Sequence, residues 1–364
     1  MKLTPKTRRN IARIVPFAVI WLVTGWIFIL VETAAMGTVS PDSPTIINLT
    51  WTIFLFASIS VIIVGLLFGF MELVFVEKLF RERRFLSKIF SKFALYFLMM
   101  LVIITITYPI AASFESGLSI LDKQVWEKFY RYLGSVTFLS TLLQMACSMF
   151  LCIIYAAISE HLGHSVLLNF FTGKYHSPKE EKRLFMFLDM SSSTAIAEKL
   201  GHTRYFELLR AYYADLSDAI INHQGEVYQY VGDEVVISWK YKDGLKDNNC
   251  IRCFFAMKRG LQQRASYYHE KFDVIPEFKA GVHLGDVTTG EIGALKKEIF
   301  FTGDVLNVTA RLQSLCKEYQ AELLTSGELA QQLHTLEYFK FQSLGNINLK
   351  GRSGTMEIFV VEEN

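Results

Sequence analysis

Four long apolar runs occupy the first 160 residues, and they constrain the fold of this chain more than any other feature. They lie near residues 15–35, 51–76, 93–112 and 133–159. About 20 apolar residues in a helix are enough to cross the roughly 30 Å hydrocarbon core of a bilayer. The sequence therefore predicts an all-α, four-helix transmembrane domain over residues 1–160, with the lipid bilayer as its surroundings.

Lysine and arginine are unevenly distributed around these runs. The first connection, residues 36–49, contains neither. Basic residues instead precede the first run and fill the second connection: Lys2, Lys6, Arg8, Arg9 and Arg13, then Lys78, Arg81, Arg83, Arg84, Lys88 and Lys92. By the positive-inside rule, this pattern predicts a multi-pass protein of the inner (plasma) membrane with both termini and the whole C-terminal half in the cytoplasm.

Charged residues inside the apolar half have two interpretations. An acidic residue in a membrane helix can form a proton or ion site, or it can sit at the membrane interface near a helix end. Glu32 and Glu72 both lie near run ends, and Glu72 is close to Glu77 and Lys78, which favours the interface. The outer connection, residues 113–131, mixes charged and aromatic residues and is predicted to be an amphipathic surface segment.

Residues 161–183 connect the apolar half to the rest of the chain. This segment is polar, holds Pro178 and carries a cluster of lysine and glutamate. It is predicted to be a helical linker that either acts as a signal transducer or serves only as a tether, and the residues leave both alternatives open.

Residues 184–364 alternate short apolar strands with amphipathic helices. The pattern predicts an α+β domain with a largely antiparallel sheet and its helices on one side. The formal net charge of the chain is only +2, which gives no support to a nucleic-acid partner. Cys250 and Cys253 have CxxC spacing, but no second ligand pair accompanies them, so a zinc site is not predicted.

Two acidic residues stand at the ends of strand-like runs in this half. Asp189 follows the apolar run 184–188, and Asp233 lies in a Gly-Asp turn between two further strands. If the fold brings the two carboxylates together, they repel each other unless a divalent cation lies between them. The hydroxyl-rich stretch Ser191, Ser192, Ser193 and Thr194 opens a helix directly after Asp189, where it could receive a phosphate or cap the helix.

Three more clusters follow in the sequence. Residues 281–293 contain regularly placed glycines and are interpreted as a hairpin. Residues 303–311 open a helix on which Asn307 and Arg311 are four positions apart and so share a face. Near the C-terminus, Lys350 and Arg352 lie close to the last predicted strand.

These five clusters, in this order, resemble the class III nucleotidyl cyclases, the family of adenylate and guanylate cyclase catalytic domains. The resemblance covers about residues 184–361. It implies that residues 184–364 form a cytoplasmic, ferredoxin-like α+β catalytic domain that is active as a dimer.

The resemblance also implies a role for each acidic and phosphate-facing position. Asp189, Asp233 and the backbone carbonyl of Met190 are expected to ligate two Mg²⁺ or Mn²⁺ ions per site. One ion would lower the pKa of the ribose 3′-hydroxyl, and the other would hold the polyphosphate while pyrophosphate leaves. The phosphates are expected to meet the stretch from Ser191 to Thr194 and Lys350, with Arg352 as the alternative cation.

Asn307 and Arg311 match the family pair that orients the ribose and stabilises charge in the transition state. In the family, this pair and the metal-binding aspartates come from opposite protomers. The resemblance therefore implies a homodimer with two equivalent sites.

The base-recognition positions depart from the usual family pattern. Gln229 stands where many adenylate cyclases have lysine and many guanylate cyclases have glutamate, and its amide can serve adenine or guanine. Phe300 replaces a common polar residue, so packing by Phe300 and Phe301, or a contact from Glu298, would hold the base.

The predicted function is a membrane-bound adenylate cyclase that converts ATP to 3′,5′-cyclic AMP and pyrophosphate, with a membrane domain that could regulate it. The alternatives are a guanylate cyclase acting on GTP and a catalytically silent receptor with a cyclase fold. Whether the membrane domain responds to a ligand or a separate receptor chain stays open.

Overall fold

The computed structural model describes residues 4–36, 50–76, 79, 85–163, 166, 167, 169, 172–333, 338–348 and 354–364. The chain divides into two compact units, one of residues 8–168 and one of residues 169–364 together with the first seven residues. The first unit is helical, and the second is built on a mixed sheet.

The helical unit contains the four apolar helices that the sequence predicts. Its helices are α1 (Pro5–Met36), α2 (Trp51–Met71, continued by a π-helical turn at Glu72–Val76), α3 (Phe85–Ser116), α4 (Lys123–Leu133) and α5 (Val136–Leu162). Four segments of these helices are long and apolar enough to cross a membrane: Pro5–Ala34, Trp51–Val76, Phe90–Ser116 and Val136–Glu160. This confirms the number and approximate positions of the predicted apolar helices, and their crossing of a membrane stays a prediction.

The short helix α4 is amphipathic, as the sequence predicts, but its apolar face packs against the helical bundle. Asp122 begins the helix by accepting a hydrogen bond from the Gln124 amide at 2.8 Å. Val125, Phe129 and Tyr132 are buried in one cluster with side chains of α3, including Tyr108. The segment is therefore a packed part of the helical unit.

Glu72 is buried among the helices of this unit, and its depth in a membrane stays a prediction. Glu72 is only 5% exposed, and its carboxylate accepts hydrogen bonds from Lys92 and Tyr96 of α3, which are also buried. Burial of a carboxylate is tolerated when a cation and a hydroxyl satisfy it. Lys92 lies 20 positions away on another helix, so sequence periodicity could not identify it as the partner.

The C-terminal unit contains eight strands, six α-helices and one short 3₁₀ helix (Lys246–Asn248) within the described residues. The strands are β1 (Lys179–Met190), β2 (Glu226–Val231), β3 (Glu234–Lys240), β4 (Phe278–Ile292), β5 (Glu298–Thr302), β6 (Leu323–Ser326), β7 (Phe339–Asn348) and β8 (Thr355–Glu363). The helices are α6 (Ser193–Asn222), α7 (Tyr241–Leu245), α8 (Asn249–Gln263), α9 (Ala265–Phe272), α10 (Asp304–Glu318) and α11 (Gly327–Ala330).

All eight strands form one sheet in the order β2-β3-β1-β4-β6-β8-β7, with β5 paired to β4. Only the β4–β6 pair is parallel among the pairings of the described strands. The predicted α+β class and the largely antiparallel sheet are therefore confirmed. β1 is central, between β3 and β4, which places the residue at its end beside the β2–β3 turn.

Helices cover both faces of the sheet, so the prediction of helices on one side is wrong. Leu184, Met186 and Leu188 of β1 point into a core closed by α6, α8 and α9. The buried Cys250 and Cys253 of α8 belong to the same core. The alternate residue Phe185 points to the opposite face, where it packs with Val305 of α10. Side chains of a strand alternate between faces, so the two cores are distinct.

The glycines of residues 281–293 do not form the predicted hairpin, because residues 281–292 lie in the single strand β4. A Cβ on Gly281 would lie 2.7 Å from the Thr309 carbonyl oxygen, and one on Gly285 would lie 2.9 Å from Cβ of Val305. These glycines allow α10 to approach the sheet closely. The hairpin turn follows instead at residues 293–297, between β4 and β5.

The segment predicted as a helical linker, residues 161–183, is not helical throughout. α5 ends at Leu162, and Gly163 has a φ of +84°, which a continuing helix does not allow. β1 begins at Lys179, inside the predicted linker. The first strand is therefore longer than the apolar run 184–188, because its first residues are polar and exposed while still pairing with β4.

Candidate active site

Asp189 lies near the carboxyl end of the central strand β1. Its neighbours Leu188 and Met190 are buried in the core beneath α6 and α8, so the Asp189 side chain lies on the opposite face, with α10. Ser191 leaves the strand, and its amide donates to the Glu277 carbonyl at 2.8 Å. The strand end thus holds Asp189 half-buried at the edge of the core.

Asp233 lies in the turn between β2 and β3, as the sequence predicts. Gly232 takes the left-handed conformation that this tight turn requires, with a φ of +63°. The Tyr213 hydroxyl of α6 donates to the Gly232 carbonyl and secures the turn. Since β3 pairs directly with β1, the turn brings Asp233 beside Asp189.

The two carboxylates interact strongly. Burial, followed by the charge of Asp233 and a hydrogen bond with it, raises the pKa of Asp189 to about 6. Burial and the same two aspartates also raise the pKa of Glu234. Negative charge is therefore concentrated at this strand end, which is the electrostatic condition for a cation site.

The donor set fits a hard divalent cation. Oδ2 of Asp233 is buried and has no hydrogen-bond partner among the described residues. A buried carboxylate oxygen with no donor is costly, and a cation would satisfy it. Carboxylate oxygens are the ligands that Mg²⁺ prefers, usually one or two per ion together with substrate phosphates. No group of three or more His, Cys, Asp and Glu side chains converges in the described part of the chain, which accords with such a two-carboxylate site.

Residues Ser191 to Thr194 open α6 immediately after Asp189. No side chain forms a capping hydrogen bond at this terminus, so the predicted serine cap is wrong. Ser192 adopts a left-handed conformation with a φ of +59°, and the Ser193 side chain lies near the hydroxyl of Tyr205, a residue whose pKa is raised mainly by burial. The first amides of a helix have no partner within it, and without a cap they remain available to an anion.

Asn307 and Arg311 both lie on α10, as predicted, and share one face of it. Asn307 is exposed and Arg311 is half-buried, whereas Val308 and Leu312 point into the core. The pair thus lies on the side of α10 that faces away from its own sheet. The structure does not bring this pair together with the two aspartates of the same chain.

Gln313 is an α10 residue that sequence reasoning missed, and its side chain lies near Asp189. Its side chain is close enough to Asp189 to lower the pKa of that carboxyl by hydrogen bonding. The only signal in the sequence is its position two residues after Arg311, which places the two side chains about 200° apart around the helix.

The predicted base-recognition residues lie on β2 and β5. Gln229 is exposed and follows a bulge in β2, where Tyr228 interrupts the pairing with β3. Phe300 is 45% exposed, so its ring is accessible. Phe301 is buried against Phe185, with ring centroids 5.4 Å apart, and it cannot pack on a base as the sequence suggested.

The two predicted phosphate-binding cations, Lys350 and Arg352, lie outside the described residues. Which of them serves the phosphates therefore stays a prediction.

Comparison with known proteins identifies the fold and the family. A sequence model of the adenylate and guanylate cyclase catalytic domain matches residues 176–363, which is more than half of the chain. Adenylate cyclase 2 of Rhizobium meliloti (strain 1021) is 33% identical over 201 residues, covering 55% of each chain. Adenylate cyclase 1 of the same organism is 30% identical over 182 residues, covering 48% of this chain and 27% of its own length.

A solved structure of a bacterial light-regulated adenylyl cyclase has the same fold, with a TM-score of 0.51 and 21% identity. The match covers 62% of this chain and 64% of that one. The chain spans about half the length of the first curated relative and about a quarter of the second. Since the family model covers the sheet, both aspartates and α10, the chain belongs to the family of adenylate and guanylate cyclase catalytic domains.

Proposed function

We propose that this chain is a membrane-anchored adenylate cyclase that converts ATP to 3′,5′-cyclic AMP and pyrophosphate at the interface of a homodimer. The observation that carries the proposal is the pair Asp189 and Asp233, with the buried and unpartnered Oδ2 of Asp233. Two carboxylates held together at one strand end repel each other, and a divalent ion between them would relieve that repulsion.

Mg²⁺ or Mn²⁺ bound by Asp189 and Asp233 would acidify the ribose 3′-hydroxyl and neutralise phosphate charge, which is the chemistry that this reaction requires. Met190 follows Asp189 directly, so its carbonyl is the proposed third oxygen. The uncapped start of α6, with Ser191 to Thr194, presents amides and hydroxyls to the phosphates. These groups bind and orient the triphosphate beside the two carboxylates.

Arg311 and Asn307 supply the remaining part of the site. A guanidinium stays charged and donates to two oxygens at once, which suits the charge that develops on the phosphates during transfer. The Asn307 amide can orient the ribose through its donor and its acceptor. Both residues act in the proposed reaction by stabilising and positioning the transition state.

The opposite faces of α10 support a dimer. Gln313 lies near Asp189 of its own chain, so the side of α10 with Asn307 and Arg311 points away from that residue. A second copy related by a two-fold axis would place its aspartates opposite this face. Two-fold symmetry repeats every contact, so the same arrangement would form a second time with the roles of the two chains exchanged. One homodimer would then contain two equivalent sites.

ATP is favoured over GTP because the two curated relatives described above are named adenylate cyclases. The exposed Gln229 and Phe300 do not exclude guanine, since a neutral amide can donate and accept. Guanylate cyclase activity is therefore the alternative outcome of the same assay.

Four apolar helices indicate a membrane anchor. The excess of basic residues before α1 and in the connection after α2 supports an orientation in which both termini and the cyclase domain are cytoplasmic. In that compartment ATP is available to the site.

Cyclic nucleotide production by the purified full-length chain with Mn²⁺ tests the function, with ATP and GTP supplied separately. Turnover of ATP above GTP is expected. Preferred turnover of GTP would replace the adenylate cyclase assignment with a guanylate cyclase. No turnover of either nucleotide would overturn the enzyme proposal in favour of a silent protein with a cyclase fold.

A further inference from the structure

Helix α10 is seated on the sheet directly above the strand that ends at Asp189. A Cβ on Gly281 would meet the backbone of Thr309 and Gln313, so this part of the helix rests on β4. Gly281 pairs with Phe187, two residues before Asp189 and on the same face of β1. The Cys316 thiol donates to the Ala280 carbonyl at 3.3 Å and secures the helix end. Gln313 is thus placed over the carboxyl end of β1.

The orientation of α10 about its own axis places the Gln313 side chain on the side of the helix that faces Asp189. Leu306 and Gln313 are seven positions apart, so they lie within about 20° of each other around the helix axis. Leu306 packs in the same cluster as Phe187. Continuing along that stripe, the Gln313 side chain is directed toward the carboxyl end of β1 and lies close enough to Asp189 to lower the pKa of its carboxyl.

The catalytic pair points the other way. Arg311 precedes Gln313 by two positions and is therefore about 200° away around α10. In the proposed dimer, Gln313 contacts the metal site of its own chain, whereas Asn307 and Arg311 of the same helix enter the partner's metal site. Each α10 is then a rigid element shared by both sites.

Building on the proposed homodimeric cyclase, we propose that Gln313 is a positioning residue that orients Asp189 for metal binding. Through α10, it also couples the metal site of its own chain to the placement of Arg311 in the partner's site. Hydrogen bonds to metal-binding carboxylates fix their orientation, and removing such a bond typically costs about 10- to 100-fold in metal affinity or activity.

Binding of Mn²⁺ alone, without nucleotide, tests the first half of this proposal. Free Mn²⁺ is measured by electron paramagnetic resonance during titration of the purified full-length chain. Gln313→Met keeps the length of the side chain and removes the donor, so the dissociation constant is expected to rise about tenfold. Gln262→Met makes the same change at an exposed position of α8 and is expected to bind Mn²⁺ like wild type.

An unchanged Mn²⁺ dissociation constant in Gln313→Met would overturn the positioning role. Thermal unfolding without metal checks that the variant folds. If it does not, Gln313→Asn serves instead, because it keeps the amide but withdraws it by one methylene, and the same loss of affinity is expected.

Mixed dimers test the coupling. One chain carries Asp233→Ala, which removes its own site but leaves its Arg311; the other carries Arg311→Ala, so only one complete site exists. Adding Gln313→Met to the Arg311→Ala chain is expected to raise the Mn²⁺ concentration for half-maximal rate about tenfold. Adding it to the Asp233→Ala chain is expected to lower kcat several-fold, with the metal requirement unchanged.

If Gln313→Met on the Asp233→Ala chain leaves kcat at the value of the parent mixed dimer, the coupling is refuted. Failure of the proposed function would look different, because the wild-type chain would then make no cyclic nucleotide from ATP or GTP. The Mn²⁺ titration does not depend on turnover, so it would still decide the contact between Gln313 and Asp189.

Discussion

Without a metal ion, the negative charge of Asp189 destabilises the folded chain, because this carboxylate is half-buried beside Asp233. Its pKa of about 6 in the folded chain is above the value of about 3.9 for a free aspartate. A raised pKa means that the folded state binds the proton more tightly than the unfolded state. The associated stability is full below about pH 4 and is lost as the pH rises through about 6.

Replacement of this carboxyl by a neutral amide should therefore stabilise the metal-free chain. Asp189→Asn is expected to raise the free energy of unfolding at pH 8 by about 1 kcal/mol, allowing for solvent screening at a half-buried group. At about pH 4 the difference should vanish. Chemical denaturation in the presence of a chelator measures both values.

The same substitution should also abolish stabilisation by Mn²⁺ and cyclic nucleotide production. Asp286→Asn, at an exposed position of β4, is the control and should change neither. A metal-free Asp189→Asn chain that is less stable than wild type at pH 8 would contradict the electrostatic account.

Arg311 is expected to act on the transition state and not on metal binding, in contrast to Asp189. Arg311→Ala should lower kcat by about 10²-fold or more, the typical cost of removing a group that stabilises developing charge. Mn²⁺ binding should stay at the wild-type value, because Arg311 faces away from its own aspartates. Steady-state kinetics together with a Mn²⁺ titration separates the two effects.

Lys317→Ala is the matched control for Arg311→Ala, since it removes an exposed cation from the same helix. It should leave kcat within the error of the assay. An Arg311→Ala chain with normal kcat and weakened Mn²⁺ binding would place Arg311 in the site of its own chain.

At the scale of elements, the contact between α10 and β4 depends on Gly281. A methyl group there would be 2.7 Å from the Thr309 carbonyl oxygen, and backbone atoms cannot move aside as a flexible side chain can. Gly281→Ala is expected to cost about 1–3 kcal/mol of stability, the usual range for overpacking. It should also lower kcat, because α10 carries Asn307 and Arg311.

Gly290→Ala, in the same strand β4, is the control, because its Cβ would meet nothing closer than Cα of Pro178 at 3.4 Å. Thermal unfolding and kcat of both variants give the comparison. If Gly281→Ala unfolds at the same temperature as Gly290→Ala and keeps full activity, the close seating of α10 is not required.

The elements also show which parts of the fold a sequence can predict. The turn at Gly232 and Asp233 was predictable, because local chemistry alone forces a tight connection between two strands. The glycines of residues 281–293, which include Gly281 and Gly285, suggested a hairpin, because a glycine needed for close approach by a distant helix looks the same in sequence as a turn glycine. The start of β1 was missed for a related reason: its first residues are polar and exposed, and only pairing with β4 makes them a strand.

At the scale of the whole molecule, the half with the four apolar helices was the more predictable part. Spans Trp51–Val76 and Val136–Glu160 follow from hydropathy because a bilayer imposes length and composition on any helix that crosses it. The pairing of Glu72 with Lys92 did not follow, because it depends on how two helices pack.

The residues of the proposed site also fall into a group that the sequence predicts and a contact that depends on packing. Asp189, Asp233, Asn307 and Arg311 were predictable from motif order, whereas the contact between Gln313 and Asp189 required the rotation of α10 on the sheet. That rotation also leads to the central claim, which is that one chain holds two half-sites facing in different directions and needs a second copy to complete either.

Complementation between two inactive chains tests this claim most directly. Asp233→Ala and Arg311→Ala chains, each inactive by itself, are co-expressed, purified together and assayed for cyclic nucleotide production. Random pairing makes about half of the dimers mixed, with one of two sites complete, so about a quarter of the wild-type activity is expected. No activity above that of the separate variants would contradict a site shared between protomers.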